Sequence, residues 1–257
     1  MASREICGRL RVRSPGICRR LTEASLPELL AALTGPTYRD ALRMPIAAIP
    51  RRNVPTRIIS GRLLRMDTPH SNTLGVLLAA GSGTRFSGPH HKLLSEIEGQ
   101  TVISRSLTAM TGSGLDGFIV VSGALDLSNH IGDLEEVHNS EWKTGQRSSV
   151  IAAMNFARNH GYDAIVVGLA DQPFLTSEAW NNVASSTSPI AVATYNGTRG
   201  NPVRLHSSVW DTFEGLQTDA DAGARSLIHL HPELVREVAC EGNSADIDTT
   251  EDLDIWT

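Results

Sequence analysis

From residue 73 onward, short apolar, β-branched runs alternate with helix-length amphipathic stretches, and no other feature narrows the possible folds as much. The runs occupy residues 74–79, 117–122, 163–169 and 189–194, and the helical patterns fall at 102–110, 148–159 and 177–184. Strands separated by helices of this length form βαβ units, whose crossovers cover both faces of a mostly parallel sheet. The expectation is an α/β fold, a single three-layer domain over residues 71–257. Two shorter runs, 202–206 and 233–238, read as later strands paired in an antiparallel sense. Ligands in such sheets bind beyond the carboxyl ends of the strands, so the residues that follow each run bear most on function.

The first run ends in Leu78-Ala79-Ala80-Gly81-Ser82-Gly83-Thr84-Arg85, and Lys92, one of only two lysines, follows shortly. Glycines let the backbone approach an anion closely and aim its N–H groups at it, while Arg85 and Lys92 bring full charges on flexible arms. A plain turn after a strand has the same composition, so the motif needs further tests. Gly81-x-Gly83-x-x leads to Phe86 where a dinucleotide fingerprint requires a third glycine. Lys92 is followed by Leu93-Leu94, where a P-loop requires a hydroxyl residue. Both common nucleotide motifs therefore fail, and a plain turn or a phosphate cradle of another kind remains.

The run at 163–169 exits into Ala170-Asp171-Gln172-Pro173. An unpaired carboxylate at the edge of a core is costly, whereas at a strand exit it can meet a cation. An N-cap for the helix that follows is the structural alternative, but Thr176 and Ser177 can serve there equally well. Beside a triphosphate the natural partner is Mg²⁺, which takes one or two carboxylates together with phosphate oxygens and waters. A second acidic cluster, Asp246-Ile247-Asp248-Thr249-Thr250-Glu251-Asp252, lies near the C-terminus. Glu251 and Asp252 fit the first turn of a short helix capped by Thr249 or Thr250, while Asp246 and Asp248 alternate to one side of an extended segment. His90 and His91 point apart in extended chain and have no ligating companions, so they read as loop residues that touch phosphate only when protonated.

The L-A-A-G-x-G-x-R run with its later lysine resembles the N-terminal signature of nucleotidyltransferases that activate sugars, polyols and cofactors with NTPs. Asp246–Leu253 resembles the D-x-D-T-P-E-D-L element of the same enzymes, with Thr250 where proline is usual. Asn139-Ser140-Glu141-Trp142-Lys143-Thr144-Gly145-Gln146-Arg147-Ser148-Ser149 matches the N-x-x-W-x-x-G-x-x-S-S pattern of one branch, the molybdenum-cofactor cytidylyltransferases among the MobA-like NTP transferases. Gly197-Thr198-Arg199-Gly200-Asn201-Pro202-Val203 and Asp221-Ala222-Gly223-Ala224-Arg225 resemble its acceptor-side elements, although Ala220 replaces a usual glycine.

The resemblance implies a Rossmann-like nucleotide-diphospho-sugar transferase fold that moves CMP from CTP to a phosphorylated acceptor, molybdopterin foremost, and releases pyrophosphate. It implies that Leu78, Ala79, Ala80, Gly81, Ser82, Gly83 and Thr84 wrap the triphosphate, that Arg85 and Lys92 neutralise the leaving pyrophosphate, and that Gly145 and Ser149 read the cytosine edge. Asp171 and Asp248 would hold Mg²⁺, with Asp246 the alternative to Asp248. Guanylyltransferases of the branch carry L-A-G-G and an aspartate before the lysine; Ala80 and His91 stand there instead, favouring cytidine. A molybdoenzyme is an implied partner. Alternatives are another NTP transferase of the same fold, a NAD(P)-dependent oxidoreductase, disfavoured by Phe86 and by the lack of an acid after the second strand, and a non-catalytic cofactor-binding maturation protein.

Charge divides the 257-residue chain. Residues 1–70 hold thirteen arginines and five acids, whereas the chain as a whole carries a net charge of −5. This arginine-rich segment reads as a poorly ordered extension upstream of the domain, residues 1–65 above all, with a partner-binding arm the alternative and one helix candidate at 26–42. Neither nucleic acid nor membrane is an expected partner, and no apolar run approaches the roughly 20 residues of a membrane span. Three scattered cysteines, Cys7, Cys18 and Cys240, without a C-x-x-C pattern, suit a reduced, cytoplasmic compartment.

Overall fold

In a computed structural model, the chain is described at residues 72–216 and 223–257. The extension at 1–70, its helix candidate and the positions of Ala220 and Asp221 lie outside the described residues. The main sheet contains β1 (Thr73–Ala79), β4 (Gly117–Ser122), β5 (Glu135–His138), β6 (Ala164–Leu169), β7 (Ile190–Tyr195), β8 (Thr198–His206) and β9 (Val235–Ala239), while β2 (Glu96–Ile97) and β3 (Gln100–Thr101) form a small hairpin. Its strand order is β5-β4-β1-β6-β8-β7-β9. The pairs β1/β4, β1/β6, β4/β5 and β7/β9 are parallel, and β8 runs antiparallel to both neighbours.

The expected α/β class is thus the observed one, a mostly parallel sheet with helices on both faces. Alternation along β1 divides the core: Leu77 and Ala79 pack with α1 (Val102–Thr111) and α3 (Ser177–Ala184), while Leu74, Val76 and Leu78 pack with α2 (Gln146–His160), α4 (Trp210–Gly215) and α5 (Arg225–Leu230). Trp180 and Trp210, the largest of the fully buried side chains, anchor one cluster each. A Cβ at Gly168 would fall 2.4 Å from a Trp180 ring carbon, so glycine in β6 sets how closely α3 lies on the sheet.

Two details depart from the sequence reading. The runs at 202–206 and 233–238 do not pair with each other; β7 lies between β8 and β9, antiparallel to the first and parallel to the second. The sequence also gave no sign of β5, whose residues Glu135-Glu136-Val137-His138 are mostly exposed. An edge strand has one neighbour and a solvated flank, so it needs no apolar run, and charged residues guard it against further pairing. Chain order along the sheet reverses at β1, because β4 and β5 extend to one side and β6 to the other. That switch point places the loops after β1 and β6 side by side, and the Ala170 N–H donates to the Leu78 carbonyl at 3.0 Å.

Candidate active site

Beyond β1 the chain turns through a glycine in left-handed backbone, Gly83 with φ +62°. The Phe86 N–H closes the turn by donating to the Gly83 carbonyl at 3.0 Å. Beneath the loop lies His91. Its Nδ1 accepts the Leu93 N–H at 3.3 Å, which leaves the proton on Nε2 to donate to the Gly81 carbonyl at 3.3 Å. Burial lowers the pKa of this ring against the pull of the Gly81 bond, so the neutral tautomer is the working form. The expectation that His91 would meet phosphate when protonated gives way to a bracing role, because both ring nitrogens are already engaged with backbone.

A single 3₁₀ turn, Lys92–Leu94, follows, with Leu93 buried as its anchor. It projects Lys92 back under the sheet's carboxyl edge, where Nζ donates to Asp171 Oδ2 at 2.6 Å and to Asp248 Oδ1 at 2.7 Å. Arg85 reaches Asp248 Oδ2 at 2.9 Å from a side chain 75% exposed, against 11% for Lys92. The difference in exposure separates the two cations: the arginine pair is a solvated contact of little energetic weight, while the lysine is fixed. Burial opposes the Lys92 ammonium, yet the adjacent Asp171 and Asp248 carboxylates outweigh it and raise its pKa.

Asp248 reaches this position through the last helix. The Ile247 N–H donates to the Asp171 carbonyl at 2.9 Å, and Ile247 itself is fully buried. Thr249 and Asp252 form a capping box at the start of α6 (Thr250–Asp254), and Asp252 Oδ2 also accepts the Asp248 N–H at 3.0 Å. Asp252 therefore has the structural role expected of it. Asp246 turns away to accept from Gln172 Nε2 at 2.5 Å, leaving Asp248 as the carboxylate that faces Asp171 across Lys92. Partial burial, and next the charge of Asp171, raise the Asp246 pKa.

These groups surround a cavity of about 250 Å³, walled by Leu78, Ala79, residues 81–85, Lys92, Asp171 and Asp248. Ala80 stands behind it, buried, with its carbonyl accepting the Ala124 N–H at 3.0 Å. The two remaining expected contacts are not on the wall. Gly145, at φ +114°, begins α2, and the buried Ser149 hydroxyl accepts from Asn139 Nδ2 at 2.9 Å. His90 is exposed, and among the described residues no cluster of three or more His, Cys, Asp or Glu could hold a metal. The donor set still fits a hard cation. Asp171 Oδ1 is buried with no hydrogen-bond partner, and two carboxylates beside a phosphate cradle provide the oxygen ligands that Mg²⁺ prefers.

A second cavity, about 430 Å³, shares Leu78 with the first. Its floor is apolar, with Val167, Val192, Val203 and Leu205 from the sheet, and Arg199, Asn201, Arg225 and His229 line it as polar groups. The sequence had pointed to its Arg199–Asn201 and Arg225 segments; Gln146 and His229 carried no signal, because only the packing of α2 and α5 on the sheet brings them there. Gln172 likewise carries no local signal, because its partners Asn201, Ser244 and Asp246 are remote in the chain.

A family model for the MobA-like NTP transferase domain matches residues 75–237. The purine catabolism protein PucB of Bacillus subtilis is 32% identical over 199 residues, 71% of this chain and 94% of that protein. Rv0371c from Mycobacterium tuberculosis, solved in complex with manganese, superposes with a TM-score of 0.55 at 25% identity, over 72% of this chain and 97% of its own. A nucleotidyl transferase from Methanothermobacter thermautotroptrophicus, Mth528, shares the fold at 21% identity and a TM-score of 0.60, over 72% and 95% of the two chains.

Proposed function

The chain belongs to the MobA-like NTP transferase family, and from that premise we propose that it is a Mg²⁺-dependent nucleotidyltransferase moving CMP from CTP to molybdopterin. The observation that carries this reading is the convergence of Asp171 and Asp248 on Lys92 Nζ at the mouth of the glycine loop. Backbone N–H groups of residues 81–84 would fix the β- and γ-phosphates, and Arg85, the exposed cation, would swing from Asp248 onto the departing pyrophosphate. Lys92, held between the carboxylates, would lie beside the α-phosphate. Asp171 and Asp248 would hold the divalent ion, which supplies Lewis-acid neutralisation of phosphate charge. An acceptor phosphate oxygen attacks the α-phosphorus in line; the new P–O bond forms as the bond to the β-phosphate oxygen breaks. The protein's contribution is alignment and charge compensation.

Cytidine is favoured by Ala80 and His91, which stand where guanylyltransferases of the branch carry glycine and aspartate. The apolar floor of the second cavity, with Arg199, Arg225 and His229 around it, suits a flat heterocycle carrying an anionic phosphate. The manganese complex of the M. tuberculosis relative supports a divalent ion. Cytoplasmic action and delivery to a molybdoenzyme complete the proposal, and among the described residues no helix is long and apolar enough to cross a membrane.

The test is pyrophosphate release with CTP, GTP or UTP against molybdopterin and other phosphorylated acceptors. Release is expected with CTP and molybdopterin, and Asp171→Ala should lower it on the order of 10³-fold while circular dichroism stays native. Preference for GTP would overturn the cytidylyl assignment, and wild-type turnover by Asp171→Ala would overturn the site.

A further inference from the structure

Gln172 is 4% exposed, and its carboxamide bonds three partners on two other segments. Its Oε1 accepts from Asn201 Nδ2 at 3.0 Å, and its Nε2 donates to the Ser244 carbonyl at 3.0 Å and to Asp246 Oδ1 at 2.5 Å. Asn201 lines the second cavity, and its carbonyl accepts the Tyr195 hydroxyl at 2.8 Å. Asp246 lies two residues before Asp248 and next to Ile247, whose N–H is bound by the Asp171 carbonyl. One side-chain amide therefore joins the loop after β6, the first half of β8 and the segment that presents Asp248. That segment has no regular structure between β9 and α6 to hold it otherwise.

We infer that Gln172 is a positioning residue, which sets the spacing of the Asp171 and Asp248 carboxylates and fixes it relative to the second cavity through Asn201. The inference rests on the metal–triphosphate reading of that carboxylate pair. An amide suits the task because it offers a donor and an acceptor in one rigid plane; Oε1 meets the donor Asn201 while Nε2 meets two acceptors. Glutamate in its place keeps the acceptor for Asn201 but sets a carboxylate against Asp246 and the Ser244 carbonyl. The segment carrying Asp248 must then move.

The two possible roles of this residue predict opposite signs. Were Gln172 only a neighbour of the site, Gln172→Glu would add a negative charge near the bound cation and tighten its binding. Were it positioning Asp248, the same variant would weaken binding by about tenfold, the scale on which groups that orient metal ligands act. Asp246→Asn keeps the acceptor for Gln172 and loses only a neighbouring charge, so it should weaken binding far less than Gln172→Glu. The double variant Gln172→Glu/Asp246→Asn has the wild-type net charge and restores a donor opposite the new carboxylate, so it should recover affinity to within about threefold of wild type.

The experiment is a Mn²⁺ titration by electron paramagnetic resonance with the full chain and saturating α,β-methylene-CTP, accompanied by thermal melts. Gln172→Met, uncharged and close in shape, provides the same reading if Gln172→Glu does not fold; it too should weaken Mn²⁺ binding by about tenfold. Weaker binding by the single variant with recovery in the double supports the inference. Unchanged or tighter binding by Gln172→Glu overturns it, as does a double variant no better than the single, or, where Gln172→Met stands in, binding equal to wild type. Failure of the wild-type chain itself to bind Mn²⁺ with the analogue would overturn the metal–triphosphate reading and this inference together.

Discussion

Lys92 faces two carboxylates at 2.6 and 2.7 Å with 11% of its side chain exposed, so its charge is held by geometry as well as by its raised pKa. Removing it should slow turnover and weaken triphosphate binding together. Lys92→Ala is expected to lower kcat/KM for CTP by about a hundredfold, the scale of a single lost charge contact in a transition state, and unchanged steady-state kinetics would remove Lys92 from the site. His91 makes a different prediction, because burial lowers its folded pKa below the ordinary 6.5. The unfolded chain then binds a proton first as pH falls, so this residue's share of stability is complete above 6.5 and is lost as pH drops from there through the lowered folded value. Melting temperatures measured between about pH 8 and 5 should fall more steeply for wild type than for His91→Asn, and parallel curves would contradict this account.

At the level of elements, the loop after β1 depends on one backbone conformation. Gly83 has φ +62°, and a Cβ there would sit 3.0 Å from His91 Nε2, the atom that holds Gly81. Gly83→Ala therefore combines left-handed strain of about 1–2 kcal/mol with displacement of the brace. We expect KM for CTP to rise several-fold with the melting temperature lowered only modestly; an unchanged KM would mean that loop shape does not govern nucleotide binding. The loop sequence was legible because glycines and cations at a strand exit leave few alternatives. The separation of Asp246 from Asp248 was not, since alternation places both on one side of an extended segment and only Gln172, from the other end of the site, draws Asp246 away.

For the molecule as a whole, the site assembles at the reversal of strand order, where the loops after β1 and β6 meet and the C-terminal segment returns across them. Among the described residues, those that wall the first cavity run from Leu78 to Asp248. We propose that the arginine-rich extension is dispensable for transfer. Deleting residues 1–65 should leave pyrophosphate release and the melting temperature at their full-chain values; a loss of either would give the extension a part in folding or activity.

The sequence by itself determined the α/β class, six of the seven described strands of the main sheet, the first three helices of the layers and most of the groups that wall the first cavity. Each is written locally, in the period of apolar residues or in residues whose chemistry has few other uses at a strand exit. Tertiary structure alone decided the place of β7 between β8 and β9, the edge position of β5, the diversion of Asp246 to Gln172, and the turning of Ser149 into the interior toward Asn139. These are contacts between segments distant in the chain, and no local pattern encodes which of two adjacent polar residues a remote partner will claim.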